Sequence, residues 1–88
     1  MEFRWNAWNI EHIAEHRVLP EEAERVVESA RGPYPLARSD DKWLVIGRGY
    51  GGRWLQVVYI FSPEDRVFVI HARPLTDREK RRQRKRER

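Results

Sequence analysis

Apolar positions along the chain follow two different spacings, and the change between them divides the molecule. Ala23, Val26, Val27 and Ala30 recur at i, i+3, i+4 and i+7, the spacing of one face of an α-helix. Pro20 suits the first position of that helix, Glu21 and Glu22 favour the positive end of its dipole, and Gly32-Pro33 ends it. Upstream, Asn6 is a good N-cap for a first helix over Ala7 to about His16, with Ile10, Ile13 and Ala14 on its apolar side. Arg17-Val18-Leu19 breaks that helix, and Phe3-Arg4-Trp5 before it reads as a short extended piece.

After a loop over 33–42, with a short strand near Leu36, the spacing becomes two. Strands are predicted over Trp43 to about Tyr50, Arg53 to Phe61, and Arg66 to Arg73. Gly51-Gly52 reads as a two-residue hairpin turn between the first pair, and Ser62-Pro63-Glu64-Asp65 as the turn between the second. Alternation puts Arg53, Leu55, Val57, Tyr59 and Phe61 on one face, and groups Val67, Val69, His71 and Arg73 on one face of the next strand. Thr76-Asp77-Arg78-Glu79 has capping-box spacing and opens a last helix. Beyond Leu75 that helix has no apolar residue, so it is expected to pack only by its side-chain stems or through a partner, with a tip disordered in isolation. The predicted fold class is α+β. A single domain over 1–88 carries two N-terminal helices on a small antiparallel β-meander, followed by a basic C-terminal helix from residue 76.

Composition narrows the class. Eighty-eight residues support one small core, and four Trp, three Tyr and three Phe supply large buried areas from few positions. With no cysteine there is neither a disulfide nor a thiolate site. No apolar run approaches the ~18 residues of a membrane span, and Met1-Glu2-Phe3-Arg4-Trp5 lacks a secretory core. A soluble cytoplasmic protein without a membrane partner is therefore expected. Charge changes the picture more. Arg73 to Arg88 carries nine basic and three acidic side chains, a net of +6, while the rest of the chain is at −2. That asymmetry points to a polyanion or an acidic protein partner. Arg outnumbers Lys fifteen to three, which suits bidentate phosphate contacts but also follows from a GC-rich genome.

Three patterns bear on chemistry. His12-Ile13-Ala14-Glu15-His16 matches the H-x-x-E-H spacing of zinc proteases, but a third ligand and a substrate cleft would also be needed, and no metal or cofactor is expected. Gly47-Arg48-Gly49-Tyr50-Gly51-Gly52 is glycine-rich, yet a strand rather than a helix follows it, as in a hairpin and unlike a phosphate loop. Arg53 begins one strand and Arg73 ends its antiparallel neighbour, so both belong to one end of the sheet, with His71 beside Arg73 and Glu79 one helical turn on. Such a set can bind and cleave a phosphodiester, with Arg stabilising charge on phosphate and His or Glu moving protons. The alternative is that Arg73 simply pairs with Glu79, which only caps its helix.

The same residues carry a family resemblance. Phe3-Arg4-Trp5-Asn6, Asn9, Glu15-His16-Arg17-Val18, Glu22-Ala23, Ile46-Gly47, Gly52-Arg53-Trp54-Leu55-Gln56-Val57-Val58-Tyr59, and Ile70-His71-Ala72-Arg73 followed by Glu79 resemble, in order and spacing, the BrnT family of bacterial toxins in the RelE/ParE-like fold group. The resemblance implies a ribonuclease toxin of a type II toxin–antitoxin system that inhibits translation by metal-independent RNA cleavage. It implies a BrnA-like antitoxin partner that binds operator DNA, so that operator DNA is reached only through the complex. Carried over residue by residue, the catalytic candidates are Arg53, Arg73, Glu79 and His16. The chain departs from the family at Glu15-His16-Arg17-Val18, where Lys-His-Gly-Val is common, and near Gln83, where a Tyr is often found. A non-catalytic nucleic-acid-binding module, or a degenerate toxin kept for antitoxin binding and operon autoregulation, are the competing readings.

Overall fold

The computed structural model describes residues 1–86, and among these are three helices and a four-stranded antiparallel sheet in an α+β arrangement. The order is α1 (Ala7–Ala14), α2 (Pro20–Glu28), β1 (Leu36–Ala37), β2 (Trp43–Arg48), β3 (Trp54–Phe61), β4 (Val67–Pro74) and α3 (Asp77–Arg86). The strands lie side by side in chain order. No helix among the described residues is long and apolar enough to cross a membrane.

Local chemistry sets the element ends. Asn6 and Asn9 exchange side-chain and backbone hydrogen bonds of 2.8 and 3.2 Å, a reciprocal cap for α1. At its other end, Val18 N–H donates to the Ile13 carbonyl and Arg17 N–H to that of Ala14, the two bonds of a Schellman cap. That cap needs a left-handed residue, and Arg17 supplies it at φ 60°. The buried side of α1 is Asn9 and Ile13, not the predicted Ile10, Ile13 and Ala14; Ile10 is 41% exposed. The reason is that α1 packs along β4, at the sheet edge, where one narrow stripe suffices.

In α2, Ala23, Val26 and Val27 are buried as predicted, and Glu22 is buried with them. They meet Val45, Leu55, Val57, Tyr59, Val67, Val69 and Ala72 in one core. The connection after β2 is longer than the predicted two-residue turn. Gly49 N–H donates to the Arg53 carbonyl at 2.8 Å across a single 3₁₀ turn over Tyr50–Gly52, with Gly51 and Gly52 at φ 70° and 78°. The glycine-rich stretch is thus a hairpin connection.

The predicted face shared by Val67, Val69, His71 and Arg73 does not form. Val67 and Val69 stand opposite Phe61 and Tyr59, but His71 and Arg73 stand opposite Val58 and Gln56, because a bulge at Ile70 shifts the register. One extra residue reverses the alternation, so His71 and Arg73 join the face of Gln56 instead of the core. Over that face runs α3, opened by Thr76 and Glu79: Thr76 N–H donates to Glu79 Oε1 at 2.8 Å, and Glu79 N–H to Thr76 Oγ1 at 3.2 Å. Contrary to expectation, α3 also packs on the body. Gln83 is 9% exposed and accepts a hydrogen bond from the Tyr34 hydroxyl at 3.1 Å. The helix runs to Arg86, and the rest of the tip expected to be disordered, 87–88, lies outside the described residues.

Candidate active site

Arg53 and Arg73 lie at the same end of the sheet, where Leu55 pairs with Pro74 and Leu75 N–H donates to the Trp54 carbonyl. They do not form one site. The Arg53 guanidinium is paired with Glu22 of α2 and that of Arg73 with Glu79 of α3.

Arg53 is bound up with the helix junction. Its Nε and Nη2 donate to the two Glu22 carboxylate oxygens at 3.0 and 2.7 Å, and Nη2 also donates to the Arg17 carbonyl at 2.8 Å. Glu22 Oε2 accepts the Tyr50 N–H at 2.8 Å as well. The Arg53 hydrogen bond outweighs burial and lowers the Glu22 carboxyl below its ordinary range. The carboxylate comes so close to the hairpin backbone that a Cβ at Gly49 would collide with Glu22 Oε2 and stand 2.7 Å from Leu55 Cδ1. A side chain there would have to displace the Glu22 carboxylate and the Leu55 side chain. In the sequence Glu22 reads as a helix-dipole residue and as part of the Glu22-Ala23 piece of the resemblance, not as the partner of Arg53, although it stands four residues before buried Val26.

Arg73 is clamped by Glu79 in a two-bond pair, with Nη1 to Oε1 at 2.8 Å and Nη2 to Oε2 at 2.9 Å. Nη1 donates further to the Pro74 carbonyl, and Nη2 reaches Gln56 Oε1 at 3.4 Å. The Arg73 bond, with the Thr76 N–H second, lowers the Glu79 carboxyl to about 2. A carboxylate so weakly basic neither gives nor takes a proton at neutral pH. Glu79 therefore positions Arg73 and caps α3, while Arg73 Nε donates to no group among the described residues.

The groups fit for proton transfer are histidines. The His71 ring lies 5.6 Å from that of His16 and 6.3 Å from that of His12, edge to face in both cases. Burial lowers the His71 pKa from its ordinary value of 6.5, and His16, Arg73 and His12 lower it further. His71 is thus neutral at pH 7 and able to accept a proton. His12 also stacks on Trp8 at 5.0 Å, and Trp8 stacks in turn near Phe68. No group of three or more side chains suited to hold a metal converges among the described residues.

The arrangement brings Arg73, Glu79, His71 and His16 into one neighbourhood with Gln56, while the Arg53 guanidinium pairs with Glu22 and Arg53 lines a separate cleft with Lys80 and Arg84 of α3. Sequence reasoning did not find Gln56, whose role follows only from the register set by the bulge. It also did not find the Arg48 guanidinium stacked 3.9 Å over the Trp54 ring, a pairing across the Arg48–Trp54 rung of the hairpin. The chain matches no protein-family model, no curated protein and no solved structure.

Proposed function

We propose that the protein is the toxin of a type II toxin–antitoxin system, a BrnT-like, metal-independent endoribonuclease of RelE/ParE-like arrangement that inhibits translation. Its partner would be a small DNA-binding antitoxin, with operator DNA bound only through the complex. The observation that carries this reading is Arg73, fixed by Glu79, two residues along one strand face from a neutral imidazole that faces a second.

RNA supplies its own nucleophile. The ribose 2′-hydroxyl oxygen attacks the adjacent phosphorus, and the bond from phosphorus to the next 5′ oxygen breaks. His71 takes the hydroxyl proton and His16 returns one to the departing oxygen. Arg73 stabilises the charge that develops on the phosphoryl oxygens. Arg53 serves the fold, holding α2 and the turn after α1 to the hairpin.

Induced expression in a bacterium tests this, with growth and RNA integrity followed over time. Growth arrest with RNA loss is expected, and normal growth with intact RNA at verified protein levels would refute it. A second reading, a non-catalytic module kept for RNA or antitoxin binding, draws on the saturation of Arg73, whose Nη groups are all engaged within the protein.

A further inference from the structure

A well-formed cleft lies away from the histidines. It is a cavity of about 430 Å³ between α3 and the sheet face that carries Ile46 and Trp54. Its floor is Ile46, Trp54 and Tyr34, with Gln83 among them; Arg31 and Arg48 stand at its edge. Volumes of this order accept small organic ligands. Its chemistry is mixed in a particular way. The floor is apolar and aromatic, Arg48 is fixed over Trp54 by a 2.9 Å bond to the Gly52 carbonyl, and the edge is cationic. The Gln83 side chain is largely buried and its amide half used: Oε1 accepts from Tyr34, while the NH₂ reaches the surface and donates to no group among the described residues. An amide with one end satisfied and the other beside an apolar cleft is suited to the polar edge of a planar ring. A neighbouring cleft of about 290 Å³ shares Tyr34, Ile46 and Gln83 and continues to Gln56 and Glu79, the residues that hold Arg73. A third cleft of about 320 Å³ also touches Trp54 and carries Arg53, Lys80 and Arg84.

We infer that the cavity over Trp54 is a nucleobase subsite for single-stranded RNA, in which Gln83 bonds the base edge and Arg31 and Arg48 bind flanking phosphates. The inference rests on the reading of the protein as an RNA-cleaving enzyme and adds where the strand is held. A base can enter such a cleft only when it is unstacked, which selects single strands over duplex. Aromatic and guanidinium planes together with a cationic edge are what base stacking and backbone tracking require. The shared lining residues lead the chain from this subsite to Arg73.

The test is binding of a short, fluorescently labelled, 2′-O-methyl single-stranded RNA, which lacks the attacking hydroxyl, followed by anisotropy on the full chain. Its partner probe is the same strand with its bases removed. Gln83→Glu keeps the acceptor for Tyr34 and replaces the free amide by a carboxylate. Trp54→Ala removes the ring and Trp54→Phe keeps a smaller one. We expect Gln83→Glu, Trp54→Ala and loss of the bases each to weaken binding by roughly tenfold or more, with Trp54→Phe close to the parent and far-UV circular dichroism unchanged. Equal affinity for the base-free strand would overturn the subsite and leave a surface that reads charge alone. So would full affinity in both Gln83→Glu and Trp54→Ala, or displacement of the RNA by an acidic peptide but not by nucleotides. Base-dependent binding without cleavage of ordinary RNA would retire the nuclease and keep the subsite; cleavage with base-independent binding would do the reverse.

Discussion

Glu79 and His71 are perturbed in the same direction, downward, and with different consequences. Glu79 is held at about 2 by Arg73 and the Thr76 N–H, against 4.5 for a free carboxyl. Its charged form is thereby favoured in the folded state. It contributes stability that is complete above about pH 4.5 and is lost as pH falls toward 2. Glu79→Gln is expected to flatten acid denaturation in that window, as followed by circular dichroism. His71 has its charged form disfavoured, so stability is complete above about pH 6.5 and falls as pH drops through the lowered value. The same value sets the acid limb of the cleavage rate, which belongs below pH 6.5. His71→Gln should lower the rate by about 10²- to 10⁴-fold and abolish that limb. An unchanged pH–rate profile would remove His71 from the chemistry. Arg53→Ala should behave differently, costing on the order of 2 kcal/mol of stability through lost charge-assisted bonds to Glu22, with the rate at low temperature near that of the parent. A rate loss without a melting shift would return Arg53 to the active site.

At the scale of elements, the turn between α1 and α2 joins a cap, a strained residue and an arginine anchor. Arg17 occupies the left-handed position that a Schellman cap reserves for glycine, and its carbonyl receives Arg53. Arg17→Gly should stabilise the protein by about 1 kcal/mol, visible as a melting temperature raised by roughly 4–8 °C; a lowered one would mean that the Arg17 side chain matters more than its backbone. This junction also marks what the chain makes legible. The helix spacing of Ala23, Val26 and Val27, the strands, and the capping box at Thr76–Glu79 are local patterns, and all three form. The bulge at Ile70 carries no local signature, yet it decides which face His71 and Arg73 occupy. Alternation alone therefore joined residues that the structure separates. The ion pairs of Glu22 with Arg53 and the bond of Tyr34 to Gln83 span 31 and 49 residues, and no periodicity reports contacts at that range. The pairing of Arg73 with Glu79 was visible because only six residues separate them.

Across the whole molecule, charge is segregated: the end from Arg73 onward is at +6 and the rest at −2. The sheet and its two N-terminal helices form the body, and α3 lays its basic side chains along the clefts over the opposite face. Truncation separates packing from charge. Deletion from Arg84 onward should leave the fold intact and reduce both RNA affinity and its salt dependence, each lost phosphate contact removing roughly 0.7 from the slope of log K against log salt. Deletion from Arg82 onward also removes Gln83 and should cost about 1 kcal/mol more through the orphaned Tyr34 hydroxyl. Equal stability of the two truncated proteins would show that α3 does not pack through Gln83. The central claim, that this protein cleaves RNA through the substrate's own 2′-hydroxyl at Arg73 and His71, is tested most directly by the ends of the products. Purified protein and a defined single-stranded RNA in the presence of chelator should yield 2′,3′-cyclic phosphate and 5′-hydroxyl termini, with cleavage blocked by a single 2′-deoxy substitution at the scissile position and abolished in Arg73→Ala. No cleavage, or 5′-phosphate termini insensitive to the 2′-deoxy substitution, would contradict it.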